Sequence, residues 1–91
     1  MSVYVAERYQ PGITEQQLLA AARRAKLTTA QMTADGIPVT YLRSTFLAAD
    51  QTCYCLFEGP SEHAVRQAND RAEIPYERIV AAVHVAAQDL P

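Results

Sequence analysis

The 91-residue chain lacks several features on which whole classes of protein depend. It has no tryptophan, three glycines and two cysteines, and ten acidic residues outnumber eight basic ones, giving a formal net charge of −2. Without a basic excess the chain lacks the field that attracts phosphate backbones, which argues against nucleic-acid binding. Three scattered glycines form no phosphate-binding loop, and two cysteines are too few for a disulfide framework.

Long hydrophobic runs are also missing. No segment approaches the roughly 20 apolar residues that span a bilayer, and the N-terminus has no basic region followed by an apolar one, so no signal peptide is predicted. Cys53 and Cys55 alternate along a strand-like segment, where positions two apart do not readily close a disulfide. We therefore expect two free thiols and a cytoplasmic location.

What remains is the composition of one small domain covering residues 1–91, with 49% hydrophobic and 20% charged residues. A chain of this length buries only about 60–65% of the surface that it exposes when unfolded. Association with a second copy is a natural way to bury more.

Six segments alternate between strand and helix patterns. β-Branched and aromatic residues favour strands over 3–9, 39–46, 52–58 and 79–85, and helical spacing of apolar residues favours helices over about 14–34 and from 61 to the stop at Pro75. Thr14 and Gln17 form a capping-box pattern at the start of the first helix. The order βαββαβ predicts an α+β, ferredoxin-like sandwich, in which both helices cover one face of a four-stranded antiparallel sheet.

The other sheet face is too apolar to remain in contact with water. Cys53, Cys55 and Phe57 alternate with Tyr54 and Leu56, so neither face of that strand is polar. Ferredoxin-like sheets often meet this need by packing sheet on sheet. We therefore expect a homodimer that covers the second face.

Five segments carry a resemblance to a known family. They are 7–14 (ERYQPGIT), 36–46 (GIPVTYLRSTF), 53–61 (CYCLFEGPS), 64–69 (AVRQAN) and 74–79 (IPYERI). These segments resemble the small ferredoxin-like domains grouped as a family of unknown function, whose best-described type is a dimeric nickel-binding protein. The resemblance covers nearly the whole chain and implies a small cytoplasmic homodimer that binds nickel at its surface, in metal handling or stress response.

The two histidines are the residues whose chemistry best suits nickel, because imidazole is a good ligand for late first-row metals. We take His63 and His84 as the candidate metal ligands. The alternatives are a solvated helix residue at His63 and a structural histidine in the last strand at His84. The pair Cys53-x-Cys55 lacks the second cysteine cluster that thiolate metal sites usually have.

A second hypothesis places the site around Arg43 and Cys55. A regular hairpin across the 47–51 loop pairs these two residues on the sheet face away from the helices. In a cleft there, Arg43 would bind an anionic ligand and lower the pKa of Cys55. Arg43 and Cys55 are therefore the candidate catalytic residues if the protein is a dimeric enzyme or small-molecule binder. Alternatively, Arg43 pairs with Glu7 or with an acid of the partner chain, and the cysteines are small apolar fillers.

Local spacing ties no nucleophile to an adjacent base, and no motif for an organic cofactor is evident. The metal-binding hypothesis, which rests on the family resemblance, takes precedence over the enzymatic one.

Overall fold

The sequence order of strands and helices is the predicted one in a computed structural model that describes all 91 residues. The elements are β1 (Ser2–Tyr9), α1 (Glu15–Ala34), β2 (Thr40–Leu47), β3 (Thr52–Gly59), α2 (Glu62–Arg71) and β4 (Arg78–Ala82), followed by a short 3-10 turn at Ala87–Asp89. The strands form one antiparallel sheet in the order β2-β3-β1-β4. This is the predicted ferredoxin-like α+β fold. No helix is long and apolar enough to cross a membrane.

Both helices begin at side-chain caps, and the sequence predicts the one at Thr14. The Gln17 amide N–H donates to Thr14 Oγ1 at 3.1 Å, and the Thr14 amide N–H donates to Gln17 Oε1 at 3.0 Å. Ser61 Oγ accepts from the Ala64 amide at 3.1 Å and starts α2 in the same way. These bonds satisfy amide groups that a helix cannot pair internally.

The end of α1 depends on a glycine. Gly36 has a φ of 97°, a backbone conformation that residues with a side chain rarely adopt. The turn at Gly36 lets the Ile37 amide donate to the Met32 carbonyl at 2.8 Å. The chain then reverses into β2.

The core lies between the helices and one face of the sheet, here called the inner face. Its largest fully buried apolar side chains are Phe57, Met32, Val39 and Val65. Ala6, Cys53, Cys55 and Ile79 also belong to this cluster, together with small residues of both helices. The opposite face, here called the open face, carries no helix.

The predicted register of the β2-β3 hairpin is wrong by one residue. The loop has four residues, 48–51, so that Leu47 pairs with Thr52, Ser44 with Cys55, and Arg43 with Leu56. Because side chains alternate along a strand, a slip of one residue places Arg43 on the opposite face from Cys55, with which it was predicted to share a face. An irregularity between Tyr41 and Arg43 restores the predicted pairing of Tyr41 with Phe57.

For β3 the predicted roles of the two faces are reversed. Cys53, Cys55 and Phe57 lie on the inner face beneath the helices, whereas Leu42 and Leu56 do not belong to the core cluster. The last strand stops at Ala82, three residues before the predicted end. Val83 is 92% exposed, because the chain beyond β4 has left the sheet.

We predict that Thr14→Ala lowers the free energy of unfolding by about 1 kcal/mol, the usual loss when an N-cap oxygen is removed. Thr14→Ser is the matched control, because serine keeps the oxygen that accepts from Gln17. Urea denaturation measures both variants. Equal losses in the two would show that the capping bond is not what stabilises this end of α1.

Candidate functional site

The sulfur of Cys55 accepts hydrogen bonds from three directions. Arg8 Nη1 lies 3.3 Å from Cys55 Sγ, Ser44 Oγ lies 3.1 Å from it, and Cys53 Sγ lies 3.8 Å from it. Tyr41 Oη is 2.7 Å from Ser44 Oγ and extends the network. We call Arg8, Ser44, Cys53 and Cys55 the thiol cluster.

Three adjacent strands build the thiol cluster. In the central pair, Arg8 of β1 lies opposite Cys53 of β3, and on the other side of β3 Ser44 of β2 lies opposite Cys55. Paired residues of antiparallel strands point to the same face. The four side chains therefore converge on the inner face, near the ends of β1 and β2.

Arg8 is an unusual residue for a protein interior. It is only 3% exposed, and the two ion pairs of the chain, Arg66 with Glu62 and Arg78 with Glu7, do not involve it. Its Nε donates to Gln10 Oε1 at 3.2 Å, which supplies a dipole but no charge. Burying a guanidinium without an anion is unfavourable. The Cys55 sulfur is the group beside it that can supply the negative charge.

The surroundings make Cys55 the more acidic of the two thiols. The hydrogen bond from Cys53 lowers the pKa of Cys55, burial opposes it, and the charge of Arg8 and the bond from Ser44 lower it further, to about 6. The same bond to Cys55, together with burial, raises the pKa of Cys53. At neutral pH Cys55 is then a thiolate, and Cys53 remains a thiol that donates to it. Burial also raises the pKa of Tyr41.

Arg43, the arginine singled out in the sequence, is not part of this cluster. It is exposed on the open face, and its Nη2 lies 3.1 Å from His84 Nδ1. The predicted pairing of Arg43 with Cys55 is wrong, and so is the cleft that the two would share, because the sheet lies between them. A cysteine beside an arginine is correct, but the arginine is Arg8. Arg8 lies two residues after the buried Ala6 on β1, so the two side chains point to the same face. This alternation was the signal that could have identified Arg8.

The two candidate metal ligands lie on separate elements. His63 is exposed on α2, and His84 is half-buried beyond the end of β4. No group of three or more His, Cys, Asp or Glu side chains in the chain is placed to hold a metal ion. One chain therefore does not assemble a complete metal site.

The contact of His84 with Arg43 shows where the C-terminal segment lies. In the strand order, β4 and β2 are opposite edges of the sheet, about 14 Å apart at the usual strand spacing. Across the four strands, Arg43 lies in the same row of paired residues as Leu56, Val5 and Val80. On β4, the chain continues past Val80 to Ala82 before it reaches His84. The segment beyond Ala82 must therefore turn back across the open face.

The geometry thus defines a ferredoxin-like α+β domain with a buried, charge-stabilised thiol cluster on one sheet face and a histidine on the other. A family model described as "Nickel responsive protein SCO4226-like" matches residues 4–81. The chain belongs to this SCO4226-like family, which confirms the resemblance noted in the sequence.

A solved structure supports the same assignment. The chain is similar to SCO4226 from Streptomyces coelicolor A3(2), whose crystal structure superposes with a TM-score of 0.74 at 28% sequence identity. The match covers 93% of this chain and 100% of the other. No curated protein matches the chain.

We predict that the thiol cluster makes stability depend on pH. An unfolded cysteine holds its proton up to a pKa near 8.5, whereas folded Cys55 loses it near 6. Between these values the unfolded state binds one more proton, so the free energy of unfolding rises with pH, by at most about 1.4 kcal/mol per pH unit. Below pH 6 this contribution is lost.

Urea denaturation of the wild type and of Cys55→Ser, between pH 5.5 and 8.5, measures the difference. Groups outside the cluster titrate in both proteins and cancel. Cys53→Ser is the control, because its hydroxyl keeps a donor beside Cys55 and the pH dependence should persist. Parallel profiles for wild type and Cys55→Ser would contradict an ionised Cys55.

Proposed function

We propose that the protein is a nickel-binding homodimer that acts in the cytoplasm, in the handling of nickel or the response to it. The observation that carries the proposal is the match of the nickel-responsive family model to residues 4–81. The open face offers a surface for dimerisation, and His84 offers a ligand for nickel. The two free cysteines support a reducing compartment.

The open face suits contact with a second copy. Val3, Val5, Tyr54, Leu56 and Val80 lie on it in the centre of the sheet and are only half-buried. A contiguous apolar surface of this kind on a small domain is typical of an interaction site. Packing the open faces of two copies together would bury these side chains in both copies.

Charged groups surround this apolar centre. Arg78 Nε and Glu7 Oε2 form an ion pair of 2.7 Å on the open face, and Arg43 is exposed near the opposite edge. A polar rim around an apolar centre is the usual arrangement of a protein interface. The rim fixes orientation, while the centre supplies most of the burial.

A shared interface also addresses the incomplete metal site. Nickel bound by a protein needs several donors, and one chain provides no cluster of three. In a two-fold dimer every residue is present twice, so that two copies of His84 and the acidic residues of both open faces can contribute to one site. His63, on the helix side, would form a second site completed by a neighbouring dimer.

The hydrogen bond from Arg43 controls whether His84 can bind a metal. A guanidinium only donates, so His84 Nδ1 accepts, and the proton of the neutral ring is then on Nε2. Neither ring nitrogen offers a free lone pair in that state. Nickel therefore has to displace Arg43, which makes the arginine a competitor of the metal.

We predict that Leu56→Glu converts the dimer to a monomer, because it places a charge at the centre of the apolar surface. Leu27→Glu is the matched control, since Leu27 is 71% exposed on α1, away from the open face. Sedimentation at micromolar concentrations measures both. A wild type that is already monomeric there would overturn the homodimer.

We predict that wild-type protein binds nickel at pH 7.5 and loses affinity at pH 5.5, where neutral imidazole is depleted. Calorimetric titration should show weaker uptake in His84→Ala and His63→Ala, and tighter binding in Arg43→Gln, which frees His84. Equal affinity in all four proteins would exclude the histidines. No uptake by the wild type would overturn nickel binding itself.

A further inference from the structure

The thiol cluster has no role in the proposed nickel site. Three donors already surround Cys55 Sγ, and one of them is the buried cation Arg8. This arrangement stabilises negative charge and repels an entering metal cation. The cluster is therefore suited to the chemistry of a thiolate rather than to metal binding.

A thiolate beside an arginine and a hydroxyl is well placed to react with a peroxide. The thiolate is the nucleophilic form of cysteine, and hydroperoxides convert it to a sulfenic acid. The donors that hold the sulfur, Arg8 Nη1 and Ser44 Oγ, lie 3.3 and 3.1 Å from it, so the same groups can reach the oxygens of a peroxide lying against the sulfur. We propose that Cys55 is an oxidation site for small hydroperoxides, with Arg8 and Ser44 positioning the peroxide.

The oxidation step needs no redox partner besides the peroxide. The Cys55 sulfur attacks one peroxide oxygen, an S–O bond forms, and the O–O bond breaks. The sulfur is oxidised by two electrons, the peroxide is reduced, and the leaving oxygen takes a proton from solvent to become water or an alcohol. A small external thiol can then displace the sulfenic oxygen as water, and a second thiol releases the reduced cysteine.

Cys53 is a hydrogen-bond donor rather than the residue that closes a disulfide. It lies two residues from Cys55 on the same straight strand, where α-carbons are about 6.6 Å apart, near the upper limit for a disulfide. The sulfur atoms are 3.8 Å apart, whereas a disulfide needs about 2.0 Å. The sulfenic acid is therefore expected to persist until an external thiol removes it.

Gln10 connects the thiol cluster to the surface. Cys55 is only 3% exposed and lines no groove, but Gln10, the hydrogen-bond partner of Arg8, lines an open surface groove of about 450 Å³. Gln10 lines this groove together with Gly12, Gln17 and Arg24, and its Oε1 also accepts from Arg8. Movement of the Gln10 side chain would uncover Arg8. Because Cys55 is almost fully buried, hydrogen peroxide is the hydroperoxide best suited to reach it.

The ionisable groups that act on Cys55 are few. They are Arg8 of β1, Cys53 of β3 and, through Ser44, Tyr41 of β2. The helix side chains in the hydrophobic core around Cys55, among them Ala21 and Ala25, carry no ionisable group. The pH dependence of oxidation should therefore follow the Cys55 thiol itself, whose pKa is lowered to about 6.

The test treats the full-length protein with hydrogen peroxide in the presence of a cyclic 1,3-dione that traps sulfenic acids, and identifies the adduct by peptide mass spectrometry. We expect one adduct, on Cys55, and a rate that reaches half its maximum near pH 6. The same protein unfolded in urea is the internal control, because there both cysteines should react equally and only above about pH 8. Equal labelling of Cys53 and Cys55 in the folded protein would overturn the proposal.

Single substitutions test whether Ser44 and Arg8 position the peroxide or only stabilise the fold. Ser44→Ala should slow trapping about tenfold, the loss expected for one hydrogen-bond donor, and should move the pH midpoint upward. Cys53→Ser should still give the Cys55 adduct, because no disulfide is involved. Arg8→Lys keeps the charge but loses the guanidinium that donates to both Cys55 and Gln10, so trapping should slow. Circular dichroism shows whether this variant is folded. If folded wild-type protein reacts no faster at pH 7 than the unfolded chain, Cys55 is not a peroxide site.

Discussion

The buried charge of Arg8 is the constraint on which much of this small structure depends. A guanidinium that is almost fully enclosed needs an anion, and the nearest group able to provide one is the sulfur of Cys55. That contact requires β1, β2 and β3 to keep one register, because Arg8 lies opposite Cys53 and Ser44 lies opposite Cys55. A slip of one residue would bring Arg43 into the core in place of Ser44.

The sheet keeps two kinds of chemistry apart. Its inner face encloses a cluster that stabilises negative charge, under two helices that contribute small apolar residues. Its open face carries half-buried apolar side chains, a charged rim and the returning C-terminal segment with His84. The inner face favours an anion beside Arg8, whereas the open face carries charges of both signs, among them Arg43 and the Arg78–Glu7 ion pair.

The C-terminal segment links these features to the proposed assembly. His84 is held by Arg43 from the far edge of the sheet, so the segment covers part of the surface that a second copy would occupy. Val83, Val85 and Leu90 are left exposed on this segment. Association of two copies through the open faces would therefore bury these side chains as well, and would place Arg43 and His84 of both chains close to the interface.

The sequence by itself determined the order of the six elements, the capping box at Thr14, the glycine turn at Gly36 and the α+β class, because these depend on local periodicity and on backbone geometry. It did not identify the arginine beside Cys55, because the predicted pairing of Arg43 with Cys55 is off by one residue. Only the tertiary structure decided that this arginine is Arg8. The difference between a four-residue and a five-residue hairpin loop has little local signal, and neither does the irregularity next to Leu42. Together they decide which β3 residue lies opposite each β2 residue. Register is fixed by contacts across strands and with the helices, which no single segment contains.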